Sequence, residues 1–290
     1  MGLTGMNHAI KRGTKMTRIT VMRRRWMMNL SVATGLCLFI VGFSQSLWAQ
    51  ETGGVVVFSK LIKGDIPATD PVSPIWDQAA AVEFPLSGQV HWEPRIFTVT
   101  AASLQVKSVH NGREMAILMI YKDPTNDPGD GAALEFMVGN AKAHFAHGQP
   151  MFQVEGGPVN IWYWKAAEQK VTDMTAKGFG TLTAQPQQDV KGKGVWSNGE
   201  WRVVFSRPLT DNDPQDAQFP AGKFQNIAFA VWNAANNEKG AQKAISSWWY
   251  FRPEPPADPK IYIYTGATVM VVGIIELIVI RRLRRKGQPA

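Results

Sequence analysis

Cysteine is almost absent from this 290-residue chain, in which Cys37 is the single example. One thiol cannot form an intramolecular disulfide, a thiolate zinc site or the C-x-x-C-H attachment of a covalent c-type haem. The sequence also lacks a P-loop and the patterns G-x-G-x-x-G, H-E-x-x-H and G-x-S-x-G. Phosphate cradling, dinucleotide binding, zinc hydrolysis and serine acyl transfer therefore have no motif here. Paired carboxylates for glycoside hydrolysis stay open, because their separation in space is not visible in a sequence.

The central part of the chain has no excess of basic residues, although the formal charge of the whole is +8. Seven lysines and arginines and no acid lie within residues 1–26, and five more lie within 281–290, again without an acid. Subtracting these twelve charges from +8 leaves −4 for residues 27–280. The high pI is therefore a targeting and topology signal, and it does not indicate binding to nucleic acid.

The amino-terminal segment has the layout of a secretory signal peptide. A basic stretch precedes an apolar run over about residues 30–43, and SQSLWAQ follows as a cleavage region. We place the peptide at residues 1–49, with cleavage after Ala49, although Leu47 is larger than such a site prefers. An uncleaved anchor is the alternative. Because Cys37 lies within the leader, the exported chain has no cysteine.

The carboxy-terminal segment has the length and composition of a transmembrane helix. Residues 261–280 are about twenty mostly apolar positions, enough to cross a hydrocarbon layer of ~30 Å. Tyr262 and Tyr264 lie at its start as interfacial anchors, and the tail at 281–290 begins RRLRRK. The positive-inside rule assigns that tail to the cytoplasm. We therefore expect a single-pass inner-membrane protein that contacts lipid and exposes its main domain to the periplasm.

The remaining central region reads as one all-β domain over residues 50–252, followed by a proline-rich spacer at 253–260. Short segments rich in β-branched and aromatic residues alternate with turn sequences such as HNG, EGGP and SNGE. WSNGEWRVVF is the clearest hairpin, because Asn-Gly suits a two-residue turn. The pattern predicts a β-sandwich of two antiparallel sheets, with strands at 96–106, 114–121, 132–138, 159–165, 194–206 and 225–232.

Three groups of residues have side chains that could hold a metal or a cofactor. Asp123, Asp127 and Asp130 share the loop DPTNDPGDG, whose composition also suits a plain turn. His144 and His147 are three positions apart and would share one face of a helix. The third group, described next, pairs a lysine in a polar loop with a methionine from elsewhere. Taken locally, such a lysine is a solvated charge.

Four segments in order resemble one family: VKSVHNGREMAILMIYKDPTND, DGAALEFM, PVNIWYWKA and IAFAVWNAANNEKGAQKAISSWW. They resemble the haem-b-binding γ subunits of the type II dimethyl-sulfoxide-reductase molybdoenzymes, such as ethylbenzene dehydrogenase and the selenate and chlorate reductases. The segments extend over about residues 100–250. The added carboxy-terminal anchor makes the layout most similar to the membrane-attached γ subunit of nitrite oxidoreductase.

The resemblance implies a β-sandwich that holds one non-covalent haem b between a lysine amine and a methionine sulfur. Lys243 in GAQKAISSWW matches the family's ligating lysine. Met151 is the first choice for the methionine and Met137 the second, with His147 as a substitute, because the family's F-M-M-G before P-V-N-L-W is replaced here by MFQVE. The expected aromatic walls of the haem site are Trp162, Trp164, Trp232 and Trp248.

The function implied by this resemblance is electron transfer without catalysis by this subunit. The chain would relay electrons between a nitrite oxidoreductase-like molybdoenzyme complex and the respiratory chain. Its expected partners are a molybdopterin catalytic subunit, an iron–sulfur subunit and a carrier such as a cytochrome c. Two alternatives remain: an exported carbohydrate-binding β-sandwich, and a membrane anchor without a cofactor.

Overall fold

In the computed structural model, residues 55–90, 93–140, 143, 157–178 and 180–285 are described. The predicted signal peptide lies outside this part of the chain. The described residues form fourteen strands: β1 Val56–Leu61, β2 Val82–Pro85, β3 Ser87–Gly88, β4 Ser103–His110, β5 Glu114–Lys122, β6 Gly131–Met137, β7 Val159–Lys165, β8 Lys170–Ala176, β9 Thr183–Ala184, β10 Lys191–Ser197, β11 Glu200–Pro208, β12 Gln225–Trp232, β13 Ala244–Ile245 and β14 Trp249–Pro253. The prediction of an all-β domain is confirmed.

The strands form two layers. The first layer runs β10-β11-β5-β4, with β2 beside β4, and the second runs β14-β12-β6-β7-β8-β9, with β13 beside β12. All neighbours within each layer are antiparallel. Strand β1 joins the layers, since residues 56–59 pair in parallel with β14 and residues 60–61 pair in parallel with β4. The two antiparallel layers confirm the predicted β-sandwich, and β1 links them into one continuous mixed sheet because it changes partners midway.

One hydrophobic core fills the space between the layers. Residues at alternate positions of β5 and β7, such as Ile117 and Trp164, belong to the same buried cluster although their strands lie in different layers. This alternation places every second side chain of a strand on the same face. Gly194 makes room for the core, because a Cβ atom there would lie 2.1 Å from Cζ2 of Trp164.

The predicted Asn-Gly hairpin is present between β10 and β11. Asn198 and Gly199 have φ angles of +54° and +77°, and Ser197 pairs with Glu200 across the turn. Positive φ at both central residues is the requirement of a type I′ turn, which matches the right-handed twist of the flanking strands.

The carboxy-terminal segment forms a helix, α1 Pro259–Arg285. Residues 259–282 of α1 are long and apolar enough to cross a membrane, by length and composition. The predicted membrane helix at 261–280 lies within this span. The orientation of the chain in a membrane stays a prediction.

Candidate functional site

A cavity of about 350 Å³ lies on the face of the second layer that points away from the core. In β6, Leu134 and Phe136 face the core, whereas the alternate residue Glu135 lines the cavity. Strand β12 behaves in the same way, with Val231 in the core and Trp232 at the cavity. The lining is mostly apolar and includes Ala133, Val159, Ile161, Tyr163, Ala230 and Ile245.

Lys243 also lines this cavity, from the loop that connects β12 to β13. Its Nζ atom lies 5.2 Å from the centroid of the Trp232 ring. Burial lowers the pKa of Lys243, and the carboxylate of Glu135 opposes this effect in part. A lowered pKa increases the fraction of neutral amine, which is the form that can donate a lone pair to a metal. Lys243 is thus suited to ligation, whereas a fully solvated lysine would not be.

Glu135 is the functional candidate that the sequence did not reveal. It is half-buried, and burial raises its pKa to about 7, with Lys243 acting in the opposite direction. The available signal was a single acid in the otherwise apolar strand GAALEFM. The cavity therefore contains one acid and one amine, close enough for each to influence the charge of the other.

The loop that carries Lys243 is held in place by hydrogen bonds at its start. The Asn233 side chain caps a short 3₁₀ helix, Ala234–Asn236, by accepting from the backbone N–H of Asn236. The backbone N–H of Asn233 donates to Glu238 at 3.0 Å. Trp232 donates from its indole to the carbonyl of Gly240 at 3.0 Å. These contacts fix both the cavity wall and the chain that leads to Lys243.

Two aspartates of the loop DPTNDPGDG anchor the same segment from the side. The amide of Asn233 donates to Asp123 at 2.8 Å, and the backbone N–H of Ala234 donates to Asp130 at 3.0 Å. Asp130 also accepts from the indole of Trp201 at 3.1 Å. The loop thus supports the Lys243 segment. The three-acid cluster with metal-like spacing that the described residues contain lies elsewhere and includes none of this loop's aspartates.

The structure brings only some of the predicted site residues together. Trp232 and Lys243 line the cavity. Trp162 and Trp164 do not, because they point into the core from the opposite face of β7, where they are fully buried. Trp248 is half-buried and packs with Met137 on a small apolar cluster that includes the cavity residues Val159 and Ala176. The position of Trp248 is therefore beside the cavity.

The remaining ligand candidates, Met151 and His147, lie outside the described residues, as does His144. Ala143 and Gly157, the described residues on either side of 144–156, both line the cavity.

The chain matches the family described as ethylbenzene dehydrogenase over residues 73–186 and 180–244. These ranges include the outward faces of β6, β7 and β12 and extend past Lys243.

Three named proteins are similar to this chain over more than half of its length. A protein of Haloferax mediterranei, named as a respiratory nitrate reductase heme subunit (ORF7), is 28% identical over 269 residues, covering 89% of this chain and 95% of that protein. The chlorate reductase subunit gamma of Ideonella dechloratans is 27% identical, and the match covers 80% of this chain and 98% of that protein. The dimethylsulfide dehydrogenase subunit gamma of Rhodovulum sulfidophilum is 29% identical, and the match covers 54% of this chain and 62% of that protein.

Among solved structures, a family 9 carbohydrate-binding module from Caldicellulosiruptor kristjanssonii in complex with glucose is similar with a TM-score of 0.39. It is 9% identical, and the match covers 70% of this chain and 97% of that module.

Proposed function

Since the chain belongs to the ethylbenzene dehydrogenase family, we propose that it is the haem-binding, electron-transferring γ-type subunit of a respiratory molybdoenzyme complex. The observation that carries the proposal is the position of Lys243. The amine of Lys243 is partly withdrawn from water at an apolar cavity, so it differs from an ordinary surface lysine that remains charged and hydrated. An amine in this position is suited to act as a metal ligand.

The residues of the cavity fit a haem. Its volume of about 350 Å³ falls in the range of small-molecule and cofactor sites, which are concave and mostly apolar. Lys243 would hold the iron on one side. We propose Met151 for the other side, with Met137 or His147 as alternatives. Because Cys37 is the only cysteine and lies in the leader, nothing would attach the group covalently, which favours a b-type haem.

When bound, such a haem supplies reversible one-electron transfer, with a potential tuned by its axial ligands and by burial. Lys243 and a second protein ligand would hold the iron, and with both bound no position on the iron would remain for a substrate. Trp232, Tyr163 and Ile161 line the cavity and would shield a bound haem from water on that side. Glu135 offers a charge that balances the lysine when the amine is protonated.

The proposed setting is the periplasmic side of the inner membrane, with α1 as the anchor. The other members of the complex would be a molybdopterin catalytic subunit and an iron–sulfur subunit, with a carrier such as a cytochrome c as the exchange partner. A nitrite oxidoreductase-like complex is our preferred assignment, because a carboxy-terminal membrane helix follows the β domain in this chain.

Optical spectroscopy of the full-length protein, purified from membranes in detergent, tests this proposal. We expect a Soret band, a reduced α band of b-type haem, and complete extraction of the pigment by acid acetone. A folded but colourless protein that retained polysaccharide would instead support the carbohydrate-binding alternative.

Two lysine variants of the same loop test the ligand. Lys243→Ala should lose haem or change its spectrum, because the amine that ligates the iron is removed. Lys239→Ala is the matched control, since Lys239 is exposed and does not line the cavity. Equal haem content and unchanged spectra in both variants would show that Lys243 is not a ligand.

A further inference from the structure

A second cluster of ionisable groups lies on the core side of β8, on the face opposite to the one that carries the cavity residue Ala176. Asp173 of β8, Asp189 before β10 and Asp216 between β11 and β12 have carboxylate oxygens that all lie within 4.8 Å of one another. Asp173 and Asp216 are almost fully buried, with 1% and 4% of their surface exposed. Three separate parts of the chain therefore converge here.

Arg207 neutralises only part of this charge. Its Nη2 atom lies 3.0 Å from Asp216 and 3.4 Å from Asp189, and it also contacts Asp211. Arg207 is 2% exposed. Among the described residues it is the one arginine or lysine that forms salt bridges to Asp189, Asp211 or Asp216. Asp211 and the three aspartates of the cluster make four carboxylates, so the single charge of Arg207 leaves an excess of three negative charges if all four are ionised. Such an excess is costly in a buried site unless a further cation binds or a carboxylate takes up a proton.

Within the described part of the chain, two carboxylate groups of this cluster each keep an oxygen that accepts no hydrogen bond. Oδ2 of Asp173 and Oδ1 of Asp189 have no hydrogen-bond partner among the described residues. Gln185 is only 4% exposed and turns its amide nitrogen toward the acids, because Nε2 donates to Asp173 at 3.1 Å and to Asp216 at 2.8 Å. Two carboxylate oxygens thus have lone pairs available.

We propose that this cluster, formed by Asp173, Asp189 and Asp216, binds a calcium ion. Calcium takes six to eight oxygen ligands in flexible geometry, and carboxylate and amide oxygens are the ligands that it prefers. The set contains no histidine or cysteine, so it does not suit zinc or copper. The Asp189 side chain is 33% exposed, which gives the ion a path from solvent and leaves room for water ligands.

The alternative way to reduce the charge excess is a proton on Asp173, which lowers it from three to two. Burial, and next the neighbouring carboxylate of Asp216, raise the pKa of Asp173 to about 8. Without a cation, Asp173 would therefore hold a proton at neutral pH. A calcium ion would displace that proton and would tie β8 to the loops before β10 and β12. The two possibilities differ in whether calcium changes the stability of the protein.

The test compares the full-length protein, purified and treated with a chelator, with and without added calcium chloride. If the site binds calcium, we expect the thermal unfolding midpoint to rise by about 5–10 °C at a calcium concentration 100 times the dissociation constant. Isothermal titration calorimetry should give one ion per chain. No shift and no binding heat would overturn the proposal and would favour the proton.

Matched variants locate the ion. Asp173→Asn and Asp189→Asn should each weaken calcium binding at least tenfold, since each removes a charged ligand. Asp213→Asn should bind calcium as the parent protein does, because Asp213 lies in the same loop as Asp216 but outside the cluster. If Asp173→Asn does not fold, Asp189→Asn decides, because its side chain is partly exposed and the contact between Arg207 and Asp216 remains. Equal affinities in all three variants would place the ion elsewhere and overturn the assignment. None of these measurements depends on haem.

Discussion

Asp130 should be the residue on which the position of the Lys243 loop depends most. It is 1% exposed and accepts three hydrogen bonds, from the backbone N–H groups of Asp127 at 2.8 Å and Ala234 at 3.0 Å and from the Trp201 indole at 3.1 Å. Asp130→Asn keeps the shape of the side chain and replaces one acceptor oxygen with an NH₂ donor. In either orientation of the amide, at least one of the three donors, each buried or partly buried, loses its acceptor.

The magnitude follows from this count. An unsatisfied buried donor costs about 1–3 kcal/mol, and the remaining bonds weaken because they are no longer assisted by a charge. We therefore expect Asp130→Asn to lower the free energy of unfolding by about 2–4 kcal/mol. For a domain of this size that corresponds to a decrease of roughly 5–15 °C in the thermal midpoint.

The assay is urea unfolding of the purified protein, combined with exchange of the Ala234 amide proton. Exchange of this proton should accelerate in Asp130→Asn, because its acceptor is the carboxylate that has been altered. Asp127→Asn is the control, since its Oδ2 atom has no partner among the described residues. If Asp130→Asn and Asp127→Asn had the same unfolding midpoints and the same exchange rates, the reasoning about this anchor would be wrong.

Three further predictions concern the core, the pH dependence and the anchor. Gly194→Ala should destabilise the domain by about 1–3 kcal/mol in urea unfolding, because the new methyl group would overlap the Trp164 ring, whereas Lys193→Ala on the same strand should be nearly neutral. Burial raises the pKa of Asp123 to about 6 from an ordinary 3.8, so its contribution to stability is complete below pH 3.8 and is lost as the pH rises through 6. Asp123→Asn should therefore gain up to about 3 kcal/mol relative to the parent between pH 4 and pH 7, and a difference that did not vary with pH would contradict this. A chain that ends at Ala257 lacks α1 but keeps the contact between Lys60 and Glu254, and it should fractionate with soluble protein after cell lysis; its recovery in the membrane pellet would show that α1 is not the anchor.

Much of the β structure could be predicted from short stretches of sequence. The bounds of β7 and β12 agree with the predicted strands at 159–165 and 225–232, and the Asn198-Gly199 turn lies where the dipeptide indicated. These features depend on neighbours in the chain. By contrast, residues 96–102 were predicted to begin a strand, yet β4 begins at Ser103. The parallel pairing of β1 with β4 and β14 had no local signal, because its partners come from distant parts of the chain.

The candidate site also separates what could be predicted from the sequence from what required the fold. Trp162 and Tyr163 are neighbours in one strand of mixed aromatic residues, and alternation alone says only that they point in opposite directions. Which of them meets the cavity depends on where the first layer packs, and the fold places Trp162 in the core and Tyr163 at the cavity. Glu135 and the carboxylate cluster around Arg207 were not recognised for the same reason, since burial by other strands is what makes them unusual.

The sequence by itself determined the class of this protein: a chain almost without cysteine, charged at its ends, with a carboxy-terminal apolar segment and strands in a recognisable order. These properties are local, or they are sums over composition, so they can be read without a fold. Only the tertiary structure decided which side chains share a cavity, that Lys243 and Glu135 lie close enough to shift each other's pKa, and that three aspartates meet beside one arginine. Residues that are far apart in the chain come together, and their side chains are withdrawn from water, only when the layers pack. These two effects set the chemistry of both sites.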